Sequence, residues 1–117
     1  MVAVIEDDES YRLAVQRLLK SAGLSVQSFS SAETFLDSGQ QHETRCLITD
    51  IKMPGMSGLE LQYKLHSDHC PIPTIFITAH GDGRLRLQAM RGGAVKFFVK
   101  PFDGEDLLEA VRVALNS

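Results

Sequence analysis

Five short runs of aliphatic and β-branched residues, each followed by an amphipathic stretch, constrain this chain more than any other feature. They are Val2–Ile5, Ser25–Phe29, Cys46–Thr49 leading into Asp50, Thr74–Thr78 and Val95–Val99. Short apolar runs bounded by polar or turn residues predict buried strands. Between them, apolar residues recur at helical spacing. Tyr11, Leu13, Ala14, Val15, Leu18 and Leu19 make one such face, stopped by Gly23. Ser30 and Glu33 have capping-box spacing ahead of Phe35 and Leu36, and Ser57 and Glu60 repeat it for a helix through Leu59, Leu61 and Leu65. A further helix is predicted from Arg84 to about Arg91, before Gly92 and Gly93. Asp103 can cap a last one, Glu105 to Leu115, whose acidic first turn suits the helix dipole. Pro and Gly place a loop at Met53-Pro54-Gly55-Met56, and another is predicted over Ala79–Gly83. Five βα units in series predict a parallel sheet with helices on both faces, and right-handed crossovers leave few topologies.

Composition narrows the function. The 117 residues fit one domain, residues 1–117, large enough to bury its own core. Fifteen acids against 12 bases give a net charge of −3, which disfavours binding of DNA or a membrane surface by the domain as a whole. The absence of Trp makes stacking on nucleic-acid bases a poor fit. No apolar run approaches the roughly 18–20 residues of a membrane span. The passage from Val2–Ile5 straight into Glu6-Asp7-Asp8-Glu9 is not a secretory signal. Cys46 and Cys70 lack CxxC spacing, which argues against a disulfide scaffold or a zinc site and fits a reducing cytoplasm.

An open parallel sheet binds ligands outside the carboxyl ends of its strands. There the sequence places Glu6, Asp7 and Asp8 after the first strand, Asp50 at the end of the third, Thr78 at the end of the fourth and Lys100 after the fifth. Each alone is unremarkable. Asp-Asp after a strand caps helices, Thr78 is a strand-end hydroxyl, and Lys100 is a surface charge. Together they form a chemical set. Clustered carboxylates repel and need a cation, and hard oxygen ligands suit Mg2+. Asp50 can act as a nucleophile through an aspartyl phosphate. An ammonium and a hydroxyl beside it can neutralise and bind phosphoryl oxygens.

The segments Glu6-Asp7-Asp8, Thr49-Asp50-Ile51-Lys52-Met53-Pro54-Gly55-Met56-Ser57-Gly58, Thr78-Ala79 and Lys100-Pro101-Phe102 resemble the receiver domain of two-component response regulators. Ser31-Ala32-Glu33-Thr34-Phe35-Leu36, Ala79-His80-Gly81-Asp82 and Gly93-Ala94-Val95 resemble most the FixJ-type branch of transcription regulators. The resemblance implies a flavodoxin-like (CheY-like) doubly wound α/β fold with five parallel strands in the order 2-1-3-4-5. It implies Asp50 as phosphoacceptor and Mg2+ (or Mn2+) held by the acidic pair, Asp50 and the main-chain carbonyl of Lys52. The pair has three candidates, Glu6, Asp7 and Asp8. It is aligned as Asp7 and Asp8, because Glu9 then falls on an acidic position that often follows. Thr78, Ala79 and Lys100 would surround the phosphoryl group, and Pro101 would follow a cis peptide. Lys52 and His80 hold the variable flanking positions, although a loop histidine is equally often just exposed. Phe97 stands where the family usually has a switch Tyr, and it would rotate inward behind Thr78 on phosphorylation.

The resemblance also implies partners: a sensor histidine kinase, a phosphorylation-dependent homodimer, no membrane, and DNA only through a C-terminal effector domain absent here. Arg84, Arg86, Arg91, Lys96 and Lys100 stand against Asp82 in residues 82–100, while residues 103–117 hold Asp103, Glu105, Asp106 and Glu109 against Arg112. Such opposite patches can pair across a symmetric dimer, or be ordinary solvated faces. One rival is a phosphohydrolase of the haloacid dehalogenase type, but its Asp-x-Asp pattern fails at Lys52. Another is a stand-alone receiver acting through protein contacts.

Overall fold

The computed structural model describes residues 1–116, so Ser117 of the assigned domain lies outside the described residues. Strands β1 (Val2–Ile5), β2 (Val26–Phe29), β3 (Cys46–Asp50), β4 (Thr74–Thr78) and β5 (Lys96–Val99) alternate with helices α1 (Glu9–Ser21), α2 (Ala32–Asp37), α3 (Gly58–Ser67), α4 (Gly83–Arg91) and α5 (Gly104–Leu115). All strand pairs are parallel and the sheet order is β2-β1-β3-β4-β5, as expected from the resemblance. A 3-10 turn at Gln40–Glu43, which no sequence signal marked, precedes β3.

Side-chain alternation along the strands divides the core. Val2, Val4, Cys46, Ile48, Ile75 and Ile77 face Val15 and Leu19 of α1 and Leu107, Val111 and Ala114 of α5. Ala3, Ile5 and Leu47 face Phe35 of α2 and Leu61 and Leu65 of α3. Phe76 and Phe97 meet Ala89 of α4 on that second side. Burying a large aliphatic or aromatic side chain stabilises by roughly 1.5–3 kcal/mol, so this sandwich is what holds the strand ends in place.

Local chemistry sets the helix starts. Asp8, Ser31, Ser57, Asp82 and Asp103 are N-caps whose side chains accept from backbone N–H groups. The Ser57–Glu60 capping box forms in both directions. The one expected at Ser30 does not. Ser31 caps α2 instead, and Glu33 turns away to accept from the Met56 N–H at 2.8 Å, tying α2 to the loop after β3.

Helix α3 ends in a turn with Cys70 N–H bonded back to Leu65 O and His69 at φ 57°. That left-handed position favours glycine, because a Cβ there crowds the carbonyl. His69→Gly is expected to raise stability by about 0.5–1 kcal/mol, measured by urea unfolding. Destabilisation would show that the His69 side chain makes a compensating contribution.

Candidate functional site

The carboxyl ends of β1, β3, β4 and β5 converge. Glu6, directly after β1, is fully buried, and Asp50 closes β3 at 7% exposure. These two and the exposed Asp7 each present a carboxylate oxygen within 4.8 Å of the others, the acidic group able to hold a metal ion among the described residues. Asp8 is not part of it. Its carboxylate accepts from Tyr11 N–H at 3.0 Å and caps α1, so of the expected pair Asp7 and Asp8 only Asp7 joins the cluster, with Glu6 beside it. The reason is local. A helix starting at Glu9 needs a cap at residue 8, and that cap turns Asp8 from the sheet edge.

Lys100 joins the strands. Its ammonium donates to Glu6 Oε1 and, at 3.1 Å, to Asp50 Oδ2, with 14% of its side chain exposed. Asp50 Oδ1 accepts from Ile51 N–H at 2.6 Å, so both oxygens of this carboxylate are oriented. Glu6 Oε2 accepts from Asp8 N–H at 3.2 Å, and Arg12 reaches the Glu6 main-chain carbonyl at 2.8 Å. Burial pushes the Glu6 carboxyl up to about 7; the Lys100 bond and the Asp8 amide pull it down, and the neighbouring Asp50 charge adds to the rise. Burial works to lower the Lys100 ammonium, but its bonds to Glu6 and Asp50 prevail and hold it above the ordinary lysine value. Desolvation thus works against ionisation of Glu6, while two carboxylates keep Lys100 charged.

Thr78 is buried at the end of β4, one residue beyond the Asp50–Ile77 pair. Its hydroxyl oxygen accepts from His80 N–H at 3.1 Å, which leaves its own proton to donate. Lys100 N–H bonds Thr78 O at 2.7 Å, so both groups hang from adjoining strand ends. Pro101 follows a cis peptide. Lys52, Ala79 and His80 are exposed on the loops leaving β3 and β4. Met53 and Met56 pack against the α2–α3 core, a structural role.

Phe97 departs from the expectation. It is already inside, 6% exposed, packed with Ile51, Phe76, Ala89 and Ala94 and covered by the Arg86 guanidinium 5.9 Å from its ring. An apolar ring has no hydroxyl to draw it to water, which suits this inward position.

Several residues named in the sequence for other reasons also build the site. Gly58 lets the start of α3 pass against β3, since a Cβ there would run into the Asp50 carbonyl. Glu33 lies over Gly55 at φ 78°, where a Cβ would also collide with it. Tyr11 places its ring beside Lys100. Only coordinates give such long-range partners.

Three carboxylates against one ammonium suit a hard divalent cation with oxygen ligands. When bound, Mg2+ would neutralise charge developing on a transferred phosphoryl group. Glu6, Asp7 and Asp50 are the side chains placed to hold it.

Comparison with known proteins agrees with this geometry. Residues 2–112 match the response regulator receiver domain family. The response regulator protein TmoT of Ectopseudomonas mendocina is 45% identical over 99% of this chain and 53% of its own length. The transcriptional regulatory protein FixJ of Azorhizobium caulinodans is 43% identical over 98% of this chain and 54% of its own. The crystal structure of FixJ-N superposes with a TM-score of 0.88 at 38% identity, covering 98% of this chain and 92% of that one. The chain therefore spans about half the length of the curated relatives it matches. Among the described residues no helix is long and apolar enough to cross a membrane. With its sheet order, its acidic edge and these matches, the chain belongs to the receiver domains of two-component response regulators.

Proposed function

We propose that this domain accepts a phosphoryl group on Asp50 from a sensor histidine kinase, with Mg2+ or Mn2+ held by Glu6, Asp7, Asp50 and the main-chain carbonyl of Lys52. The observation that carries this reading is the Lys100 ammonium bonded to Asp50 inside a cluster of three carboxylates. Lys100 would bind one phosphoryl oxygen, Thr78 Oγ1 and the Ala79 backbone N–H two others. Phosphoryl transfer asks chiefly for in-line placement and charge neutralisation, which these groups supply. Lys52 and His80 flank the approach and would govern the entry of hydrolytic water. With a single carboxylate at the nucleophile and Lys52 where a dehalogenase-type hydrolase has its second Asp, the domain would catalyse only its own phosphorylation and dephosphorylation. A cytoplasmic location, in reach of the kinase and its phosphoryl donor, fits this reading.

The output would run through α4, β5 and α5. Exposed Arg84, Arg86 and Arg91 on α4 face outward, as do Asp106 and Glu109 on α5, with Leu87, Met90, Val99 and Val113 as exposed apolar residues among them. Opposite charge beside apolar surface suits a symmetric homodimer. Because Phe97 already lies inside, phosphorylation would act by drawing the Thr78 hydroxyl off the His80 amide, which would release the loop that leads into α4. FixJ and its kind regulate transcription, so the same output is proposed here, with DNA bound by a C-terminal effector domain rather than by this one.

Three outcomes are expected. Acetyl phosphate with Mg2+ adds one phosphoryl mass to the wild type and not to Asp50→Asn, read by intact-mass spectrometry; equal labelling of both overturns the assignment. Mg2+ must displace the Glu6 proton, so the metal-induced rise in Tm should shrink as pH falls from about 8 to about 6 through the Glu6 value. Glu6→Gln should flatten that dependence. Asp8→Ala should keep the metal response while losing about 1 kcal/mol of cap stability. A metal response abolished by Asp8→Ala and intact in Glu6→Gln would restore the pair to Asp7 and Asp8. Light scattering should show beryllofluoride, a phosphoryl mimic, converting monomer to dimer in wild type but not in Thr78→Ala or Arg91→Glu. A bound mimic with no change in mass would overturn the dimer.

A further inference from the structure

The Lys100 ammonium has three N–H donors, and Glu6 and Asp50 take two of them. An aromatic ring closes the other side. Lys100 Nζ lies 4.2 Å from the centroid of the Tyr11 ring, well within the reach of cation–π attraction. Tyr11 is half-buried and held from two directions. Its backbone N–H is the donor to the Asp8 cap, and its ring meets Phe102 at 6.0 Å. Phe102 in turn packs on Phe98 at 5.4 Å, and these two flank Lys100 in the sequence, two residues to either side. The Asp8 carboxylate, excluded from the acidic cluster, thus fixes the turn of α1 that delivers Tyr11.

We propose that Tyr11 is a positioning residue for Lys100: its ring keeps water off the open side of the ammonium and holds it where Asp50 and an incoming phosphoryl oxygen meet. The proposal rests on Asp50 being the phosphoacceptor and concerns what sets the speed of that reaction. A lysine has a flexible four-carbon stem, and fixing it costs side-chain entropy. Packed between an aromatic face and two carboxylates, Lys100 has lost that freedom before the phosphoryl donor arrives, so less of the barrier is spent ordering it. The ring face does this work and the phenol hydroxyl has no part in it. A phenyl group should therefore serve as well, and an aliphatic side chain of similar bulk should not.

The test compares Tyr11→Phe and Tyr11→Leu, each in the wild-type and the Lys100→Ala background. Labelling by acetyl phosphate at saturating Mg2+ is followed by intact mass, Mg2+ affinity by thermal shift, and the Lys100 side-chain protons by NMR. Tyr11→Leu should slow labelling about three- to tenfold, the range expected for a partly desolvated cation–π contact. Tyr11→Phe should stay within about twofold of wild type. Mg2+ affinity should be unchanged in both, and Tyr11→Leu should have no added effect once Lys100 is gone. Ring-current shifts on the Lys100 ε-protons should be present in wild type and Tyr11→Phe and lost in Tyr11→Leu. Equal slowing by Phe and Leu, or equal slowing with Lys100 absent, overturns the proposal. A wild type that takes no phosphate overturns the phosphoacceptor reading instead. Missing ring-current shifts in wild type overturn the placement of Tyr11 whatever happens at Asp50.

Discussion

One ammonium among three carboxylates organises this molecule. Glu6 and Asp50 sit at the edge of a parallel sheet with almost no solvent to stabilise their charge. Ions in that position are costly unless paired and hydrogen-bonded. Lys100 supplies both, and it can do so because β5 delivers it beside Thr78 through a main-chain bond across the sheet edge. Three carboxylates and one ammonium, all ionised, leave two negative charges. Burial is the main cause of the upward push on Glu6, and the neighbouring Asp50 charge adds to it. A divalent cation held by these carboxylates would balance that excess.

The fold exists to hold that balance at a fixed place. Strand alternation buries one row of side chains under α1 and α5 and the other under α2, α3 and α4, which leaves the chain no freedom at the strand ends. The close pass of Gly58 against Asp50 and the strap from Glu33 to the Met56 amide fix the loop after β3. Backbone packing would supply much of the placement that phosphoryl transfer asks for.

The alternation of apolar runs with helical faces made the five βα units legible, and the strand ends then pointed to Asp50, Thr78 and Lys100. These positions are legible because the rule behind them is topological: in such sheets, function gathers at the carboxyl edge. The acidic pair was aligned as Asp7 and Asp8, and the alignment is delicate because three acids follow one strand and a shift of one residue exchanges a clustered carboxylate for a helix cap. Nothing in Glu6-Asp7-Asp8-Glu9 says that α1 begins at Glu9, and it is that start which assigns Asp8 to the cap. The α2 cap was misplaced by the same one-residue margin, the adjacent Ser31 rather than Ser30 accepting from Thr34 N–H at the helix start. Tyr11 lay hidden in its helical stripe. It reads as a core residue and is one, packed on Phe102, yet its other neighbour is Lys100, 89 positions away.

The helices that flank β5 are held unequally. Helix α5 buries Leu107, Leu108, Ala110, Val111 and Ala114, whereas α4 buries Ala89 alone among its described residues. Partly buried Leu85 packs on the same cluster, Gln62 Nε2 donates to Ala89 O at 3.2 Å, and Arg86 lies over Phe97. A helix with so little buried apolar surface belongs to the low-stability end of a fold and is the element a small perturbation can move. The loop entering it begins at Thr78, whose hydroxyl holds the His80 amide. Redirecting that one hydroxyl toward a new anion would remove a constraint on the loop that leads into α4. A hydrogen bond contributes only about 0.5–1.5 kcal/mol, too little to reshape the α5 side of the core but comparable with what fixes α4. The burial of the two helices thus sets a firmly held α5 beside a lightly held α4, and Phe97 lies inside the cluster on which α4 rests.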